Sequence, residues 1–124
     1  MWKSKHGERI KQTLISEAIQ ISTGIRGSKH AAALVYRGRV VAIGHNKLKS
    51  HPIMKDYHRV GQVFLHAEAD VIQKTVREKR YNLQDLSLWV LRVTAKGLRL
   101  ADSKPCSGCS RLIDHYGIEE VYWT

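Results

Sequence analysis

Two short segments constrain this chain more than anything else in it: His66-Ala67-Glu68 and, well downstream, Pro105-Cys106-Ser107-Gly108-Cys109. One histidine and two cysteines can offer a metal one nitrogen and two thiolates. A catalytic zinc takes three protein ligands and keeps a further position open for water. It brings that water from a pKa of about 15.7 to about 7. Glu68 is then left over, and a spare carboxylate beside such a water is a proton carrier. The spacing also speaks to local structure. Cys106 and Cys109 are three apart and share one face of a helix. Pro105 suits the first helical position, where a missing N–H costs nothing. Both sulfurs would sit at a helix N-terminus, whose partial positive charge favours thiolate. His66 and Glu68 are two apart and would point to nearly opposite sides deep inside a helix. They converge only if the chain is still entering the helix at His66. Both segments are therefore expected at helix starts, facing each other across one ion.

Taken singly, each segment is ambiguous. H-x-E is common, and C-x-x-C can be a redox pair or half of a structural zinc site. A structural site wants four protein ligands. The chain has only these two cysteines, so a histidine such as His45 or His115 would have to complete it.

Four features in order carry a family resemblance over residues 28–124. They are the apolar run Ala31-Ala32-Ala33-Leu34-Val35, then Val41-Ala42-Ile43-Gly44-His45-Asn46, then His66-Ala67-Glu68, then Pro105-Cys106-Ser107-Gly108-Cys109. In this the chain resembles the cytidine and deoxycytidylate deaminase superfamily, whose signature is the H-x-E and P-C-x-x-C pair. The resemblance implies one catalytic zinc held by His66, Cys106 and Cys109, with Glu68 as the proton shuttle. Histidine as the first ligand is similar to the deoxycytidylate, transfer-RNA adenosine and guanine deaminases; small nucleoside cytidine deaminases usually have cysteine there. The family's substrate contacts carry over onto three positions. The backbone N–H of Ala67 would bind the base carbonyl. The carbonyl of Lys104, before Pro-Cys, would meet the leaving amine, and Asn46 would bind sugar or base. The chain departs from deoxycytidylate deaminases after H-A-E: they usually continue Asn-Ala, whereas Ala69-Asp70 follows here. They also run to a fifth strand, and only four strands are expected here.

The 124 residues favour a single domain over 1–124, long enough to bury its own core. No run approaches a membrane span, and Met1-Trp2-Lys3-Ser4-Lys5 lacks an apolar signal core, so a cytoplasmic protein without membrane partners is expected. Lys and Arg number 21 against 11 Asp and Glu, a net charge of +10. That balance suits an anionic partner, either nucleotide phosphate or nucleic acid. The charges are spread along the chain without an Arg-rich tail.

In chain order, residues 8–23 read as an amphipathic helix, with Ile10, Leu14, Ala18 and Ile21 in line and Ile15 and Ile19 widening the stripe. Ala31–Tyr36 and Arg39–Gly44 read as a hairpin about Arg37-Gly38, apolar enough to be covered on both faces. Residues 45–62 form a basic loop running into the H-A-E segment. Lys47 and Lys49 are its candidates for a substrate phosphate, and His45, His51 and His58 are conceivable ligands of a second metal. Leu65–Arg80 fits a helix with Ala69, Ile72 and Val76 on one face. Leu86–Thr94 is a strand with Trp89 in the core or an interface, Cys106–Tyr116 a helix stopped by Gly117, and Ile118–Thr124 a last strand. This order gives a three-layer α-β-α sandwich with a mixed sheet of about four strands. Its open C-terminal edge suits a homo-oligomer.

The expected activity is hydrolytic deamination of a cytosine-type nucleotide or nucleoside, with a small-molecule partner. The alternatives are deamination of transfer RNA or single-stranded nucleic acid, deamination of a guanine- or adenine-type base, and an inactive binding module on the same fold. Glu68 argues against the last, because structure does not need that carboxylate and catalysis does.

Overall fold

The computed structural model describes residues 5–20, 29–46, 66–94 and 99–124. The elements are α1 (Lys5–Gln20), β1 (Lys29–Tyr36), β2 (Arg39–His45), α2 (Ala67–Glu78), β3 (Ser87–Val93), β4 (Leu100–Ala101), α3 (Ser107–His115) and β5 (Glu120–Trp123). A 3-10 turn over Leu83–Asp85 leads into β3. The strand order is β2-β1-β3-β4, with β5 also on β3. β5 pairs the first half of β3 in parallel, and β4 pairs its last two residues antiparallel. The mixed sheet therefore has five strands rather than four. The addition is the two-residue β4, which is too short to show as a periodic pattern.

Three layers follow from which strand residues face which helix. Ile10, Leu14 and Ala18 of α1 pack on Ala31, Ala33, Val35, Trp89, Leu91 and Val93. Alternate residues of the same strands, Ala32, Leu34, Leu88 and Val90, meet Ala67, Val71 and Ile72 of α2 and Leu112 and Ile113 of α3. The expected α1 stripe is thus buried, and its end at Ile21 lies outside the described residues. Trp89 is core, stacked on Tyr122 with ring centroids 4.4 Å apart. β1 is covered on both faces as expected, whereas β2 is only half-buried because it is the edge strand. Among the described residues, no helix is long and apolar enough to cross a membrane.

The hairpin turns on Arg37 and Gly38, both left-handed with φ of 50° and 78°. Two positive φ values at the centre define the tight turn that matches strand twist. Pairing starts at Tyr36↔Arg39 and Val35↔Val40, then jumps to Leu34↔Ala42. Val41 is the extra residue of a β-bulge. It packs on the α2 side together with its neighbour Ala42, while Ile43 returns to the α1 side.

α2 is buried all round over Ala67–Ile72 and emerges at Val76, which is 39% exposed. Val76 therefore does not extend the buried face expected from Ala69 and Ile72. Two contacts seat α2 against β2. Gly44 lies so close that a Cβ there would stand 2.6 Å from Val71 N and 3.0 Å from Ala67 O. Asp70, fully buried, accepts the His45 N–H at 3.1 Å and pairs with Lys74 Nζ at 3.1 Å. Lys74 also donates to the Ile43 carbonyl at 3.3 Å. A buried carboxylate is tolerable only when paired and hydrogen-bonded in this way.

α3 ends in a Schellman motif. Gly117, at φ 75°, donates to Asp114 O at 3.0 Å, and Ile118 donates to Ile113 O at 3.2 Å. Gly117 is the stop that the sequence predicts. Beyond it, β5 ends on Ser103: Ser103 N donates to Thr124 O and Thr124 N to Ser103 Oγ, each at 2.9 Å. Ser103 Oγ donates in turn to Val90 O at 2.9 Å. The segment before α3 is thereby tied to the sheet.

Gly44→Ala should cost about 1–3 kcal/mol, because backbone rather than a flexible side chain blocks the added carbon. Denaturant unfolding measures this, and a loss under about 0.5 kcal/mol would contradict the close approach.

Candidate active site

Both ligand segments sit at helix starts. His66 is the N-cap of α2, with extended backbone at φ −70°, ψ 151°. Cys106 is the N-cap of α3, at φ −68°, ψ 170°. Pro105 therefore precedes the cap instead of occupying the first helical position. Cys106 and Cys109 meet as cap and first turn, with Cys109 N donating to Cys106 Sγ at 3.5 Å. The thiol takes the acceptor role that Ser or Asp usually fills at this position.

His66 Nδ1 lies 3.3 Å from Cys109 Sγ and 3.7 Å from Cys106 Sγ. Bonds of about 2.0 Å to nitrogen and about 2.3 Å to sulfur at a tetrahedral angle put ligand N and S about 3.5 Å apart. The two distances bracket that value. The ligand atoms of His66, Cys106 and Cys109 all lie within 4.8 Å of one another, and this is the metal-binding group found among the described residues. The donor set fits a single zinc with one position left for a non-protein ligand. Neither histidine that could have completed a four-ligand structural site joins it. The His45 ring contacts the Asn46 carbonyl at 3.3 Å, and His115 is exposed, edge-on to Tyr116.

Glu68, in the first turn of α2, is buried within the same cavity. Burial raises its pKa above the usual carboxylate range, against lowering by its own backbone N–H and by His66. A carboxyl that holds its proton more readily is suited to alternate between acid and base near neutral pH. The Cys106 thiol holds the His66 imidazole above its usual value. Hydrogen bonding to Cys106, burial and the nearby Glu68 push the Cys109 thiol up. A divalent ion inverts this balance, because ligand thiols must shed their protons to bind it.

The cavity, of about 270 Å³, is lined by His30, Asn46, His66, Ala67, Glu68, Ser103, Lys104 and Cys106. It brings together Glu68, the expected ligands His66 and Cys106, and the expected substrate-contact positions Asn46, Ala67 and Lys104, with the third ligand, Cys109, buried behind its lining. Ala67 is the first residue of α2, where an N–H has no helical carbonyl to meet. Lys104 is exposed at the rim, its N–H on Asp102 Oδ1 at 3.0 Å. Asn46 Oδ1 accepts the His30 N–H at 3.0 Å, and Asn46 N donates to His30 O at 3.2 Å. Lys47, Lys49, His51 and His58 lie outside the described residues. His30 and Ser103 were not anticipated. The one signal for His30 was a polar residue placed immediately before the apolar run of β1.

Ligands, fold and buried carboxylate define a zinc-binding deaminase class. The chain belongs to the cytidine and deoxycytidylate deaminase zinc-binding family, whose profile matches residues 6–124. Its fold is similar to that of the deoxycytidylate deaminase of cyanophage S-TIM5 solved with dCMP and dUMP (TM-score 0.60, 24% identity, 93% of this chain and 80% of that one). It is also similar to the guanine deaminase of Bacillus subtilis (TM-score 0.56, 20% identity, 98% of this chain and 64% of that one). A third similar fold is a diaminohydroxyphosphoribosylaminopyrimidine deaminase/reductase of Thermotoga maritima (TM-score 0.55, 22% identity), of which this chain spans 30%. No curated protein matches at the level of sequence.

Zinc affinity should rise with pH between about 6 and 8, tenfold per unit for each proton released, since ligand thiols must shed their protons to bind and the Cys109 thiol holds its proton above the usual range. Competition against a chelator measures it. A pH-independent affinity would contradict ligation by these thiols.

Proposed function

We propose that the protein hydrolytically deaminates a cytosine-type nucleotide, converting it to the uracil counterpart with release of ammonia. One observation carries the reading: a buried Glu68 shares a cavity with a three-ligand zinc set that leaves a position open. The bound ion supplies Lewis acidity that makes water a usable nucleophile near neutral pH. The chain's residues do the rest. The Ala67 N–H donates to the base carbonyl and orients the ring. Glu68 takes a proton from the attacking water and delivers it to the ring nitrogen, then takes the remaining proton from the new hydroxyl and passes it to the departing amine. The Lys104 carbonyl accepts from that amine as it leaves. A C–O bond forms, a C–N bond breaks, and water is consumed as ammonia is released.

The cytosine base is supported by the likeness to a fold that binds dCMP and dUMP. A guanine-type base is the second reading, on the likeness to a guanine deaminase. An ammonia-release screen over cytosine, guanine and adenine nucleosides and monophosphates decides between them. Cytosine compounds are expected to react, and turnover of guanine compounds alone would replace the first reading with the second.

Glu68→Gln should keep one zinc per chain and the fold, and lose about 10²–10⁴ in kcat. Metal analysis and steady-state kinetics test both halves. Activity within threefold of the parent would remove Glu68 from the mechanism.

Lys47 and Lys49, one and three residues after Asn46 in sequence, are the candidates for the substrate phosphate. A charge-assisted contact contributes about 1.5–3 kcal/mol, so a monophosphate should exceed its nucleoside by roughly ten- to over a hundredfold in kcat/KM. Replacing both lysines with Gln should erase that preference and spare nucleoside turnover. Should only oligonucleotides react, with a steep salt dependence, a nucleic-acid substrate takes the place of the nucleotide.

A further inference from the structure

We propose that His30 is a specificity-determining residue whose imidazole hydrogen-bonds a hydroxyl of the substrate's sugar. The proposal rests on the deaminase reading above and extends it to a residue of β1.

His30 lines the cavity alongside Asn46, while the remaining lining comes from the start of α2 and the segment before α3. Its main chain is fixed on both sides. The N–H and carbonyl bond Asn46, and across the sheet His30 pairs with Arg92 of β3. The ring is treated differently. Among the described residues its nitrogens take no hydrogen bond, and neither is among the side-chain atoms buried without a partner, where Arg92 Nε stands. An imidazole held by its backbone and free of other hydrogen bonds among the described residues, on a residue that lines the cavity, is placed to bind what enters.

Chemistry narrows what it binds. Burial, the Arg92 cation and His66 hold the His30 pKa at about 4, so the ring is neutral at pH 7. A neutral imidazole offers one donor and one acceptor. A hydroxyl, which is itself donor and acceptor, complements it; a phosphate wants cations or donors alone. The base has other partners in this cavity. Its amine-bearing carbon belongs beside Glu68 and the ligands, and its carbonyl on Ala67 N–H. The sugar is the part of the substrate left for the strand ends.

The test compares deoxycytidine with 2′,3′-dideoxycytidine, and dCMP with its dideoxy counterpart, on the zinc-loaded full chain. The parent should favour the hydroxylated member of each pair by about ten- to a hundredfold in kcat/KM. His30→Leu, with zinc content and Tm retained, should reduce that ratio to within about twofold of unity, chiefly through KM. His30→Gln, which keeps a neutral donor and acceptor, should restore much of it. Should the Leu variant not fold, His30→Met serves the same purpose. A ratio unchanged in the apolar variant overturns the proposal. So does an equal loss on both sugars, which marks a structural role. A parent that prefers neither sugar overturns it while leaving the deaminase reading intact. A parent that deaminates no cytosine compound removes the cytosine reading and this proposal together.

Discussion

Two helix N-termini meet through side chains at their caps and first turns, His66 with Cys106 and Cys109, within a few ångströms, and everything else in the site depends on that meeting. Each brings unsatisfied N–H groups and a partial positive charge. A dication between them would add to the conflict. The residues at the two caps and first turns resolve it. Cys106 caps α3 and Cys109 lies one turn in, so two groups able to become thiolates sit where positive potential is highest. Glu68 adds a carboxylate within the first turn of α2. The ligand set and the helix starts therefore stabilise each other, which explains why the motif comes as cap plus first turn rather than as scattered ligands.

The two helices are aimed by separate attachments to the sheet. α2 is pressed onto β2 through the bare Cα of Gly44 and tied by the Asp70–Lys74 pair to His45 N and Ile43 O. α3 is aimed from both ends: at its start by Ser103, bonded to Val90 and Thr124, and at its end by the turn through Gly117. Asp70 stands where deoxycytidylate deaminases usually carry a small apolar residue. Here it anchors the strand end that carries Asn46. That position is thus placed by a residue on the same helix as Glu68.

The metal ligands, Glu68 and the helix starts were legible because chemistry ties residue type to spacing. The hairpin turn was legible in Arg37-Gly38, and the end of α3 in Gly117, for the same reason. What escaped depends on tertiary packing. Val76 fits the helical period, but nothing covers it in the described structure, so it emerges into solvent. β4 is a strand only because Arg92 and Val93 pair with it. His30 precedes an apolar run whose function is core, and its place in the cavity follows from pairing with Asn46, which the run does not encode.

That pairing turns on the extra residue at Val41. Counted from the turn without it, Gly44 would stand opposite Ala31 and face α1, and His45 would stand opposite His30. With it, Gly44 stands opposite Ala32 and faces α2, and His30 meets Asn46. Because strand side chains alternate, one residue more or less exchanges every inward position for an outward one. Removing a single residue from β2 between the turn and Gly44 could be absorbed by closing the bulge, which leaves Gly44 opposite Ala32 and Asn46 at His30. Removing two would outrun the bulge, bring Gly44 opposite Ala33 on the α1 face and carry Asn46 away from His30, without touching any ligand. In this chain the count of residues from the turn to Asn46, together with the bulge that absorbs one of them, is therefore as much a part of the site as the cysteines.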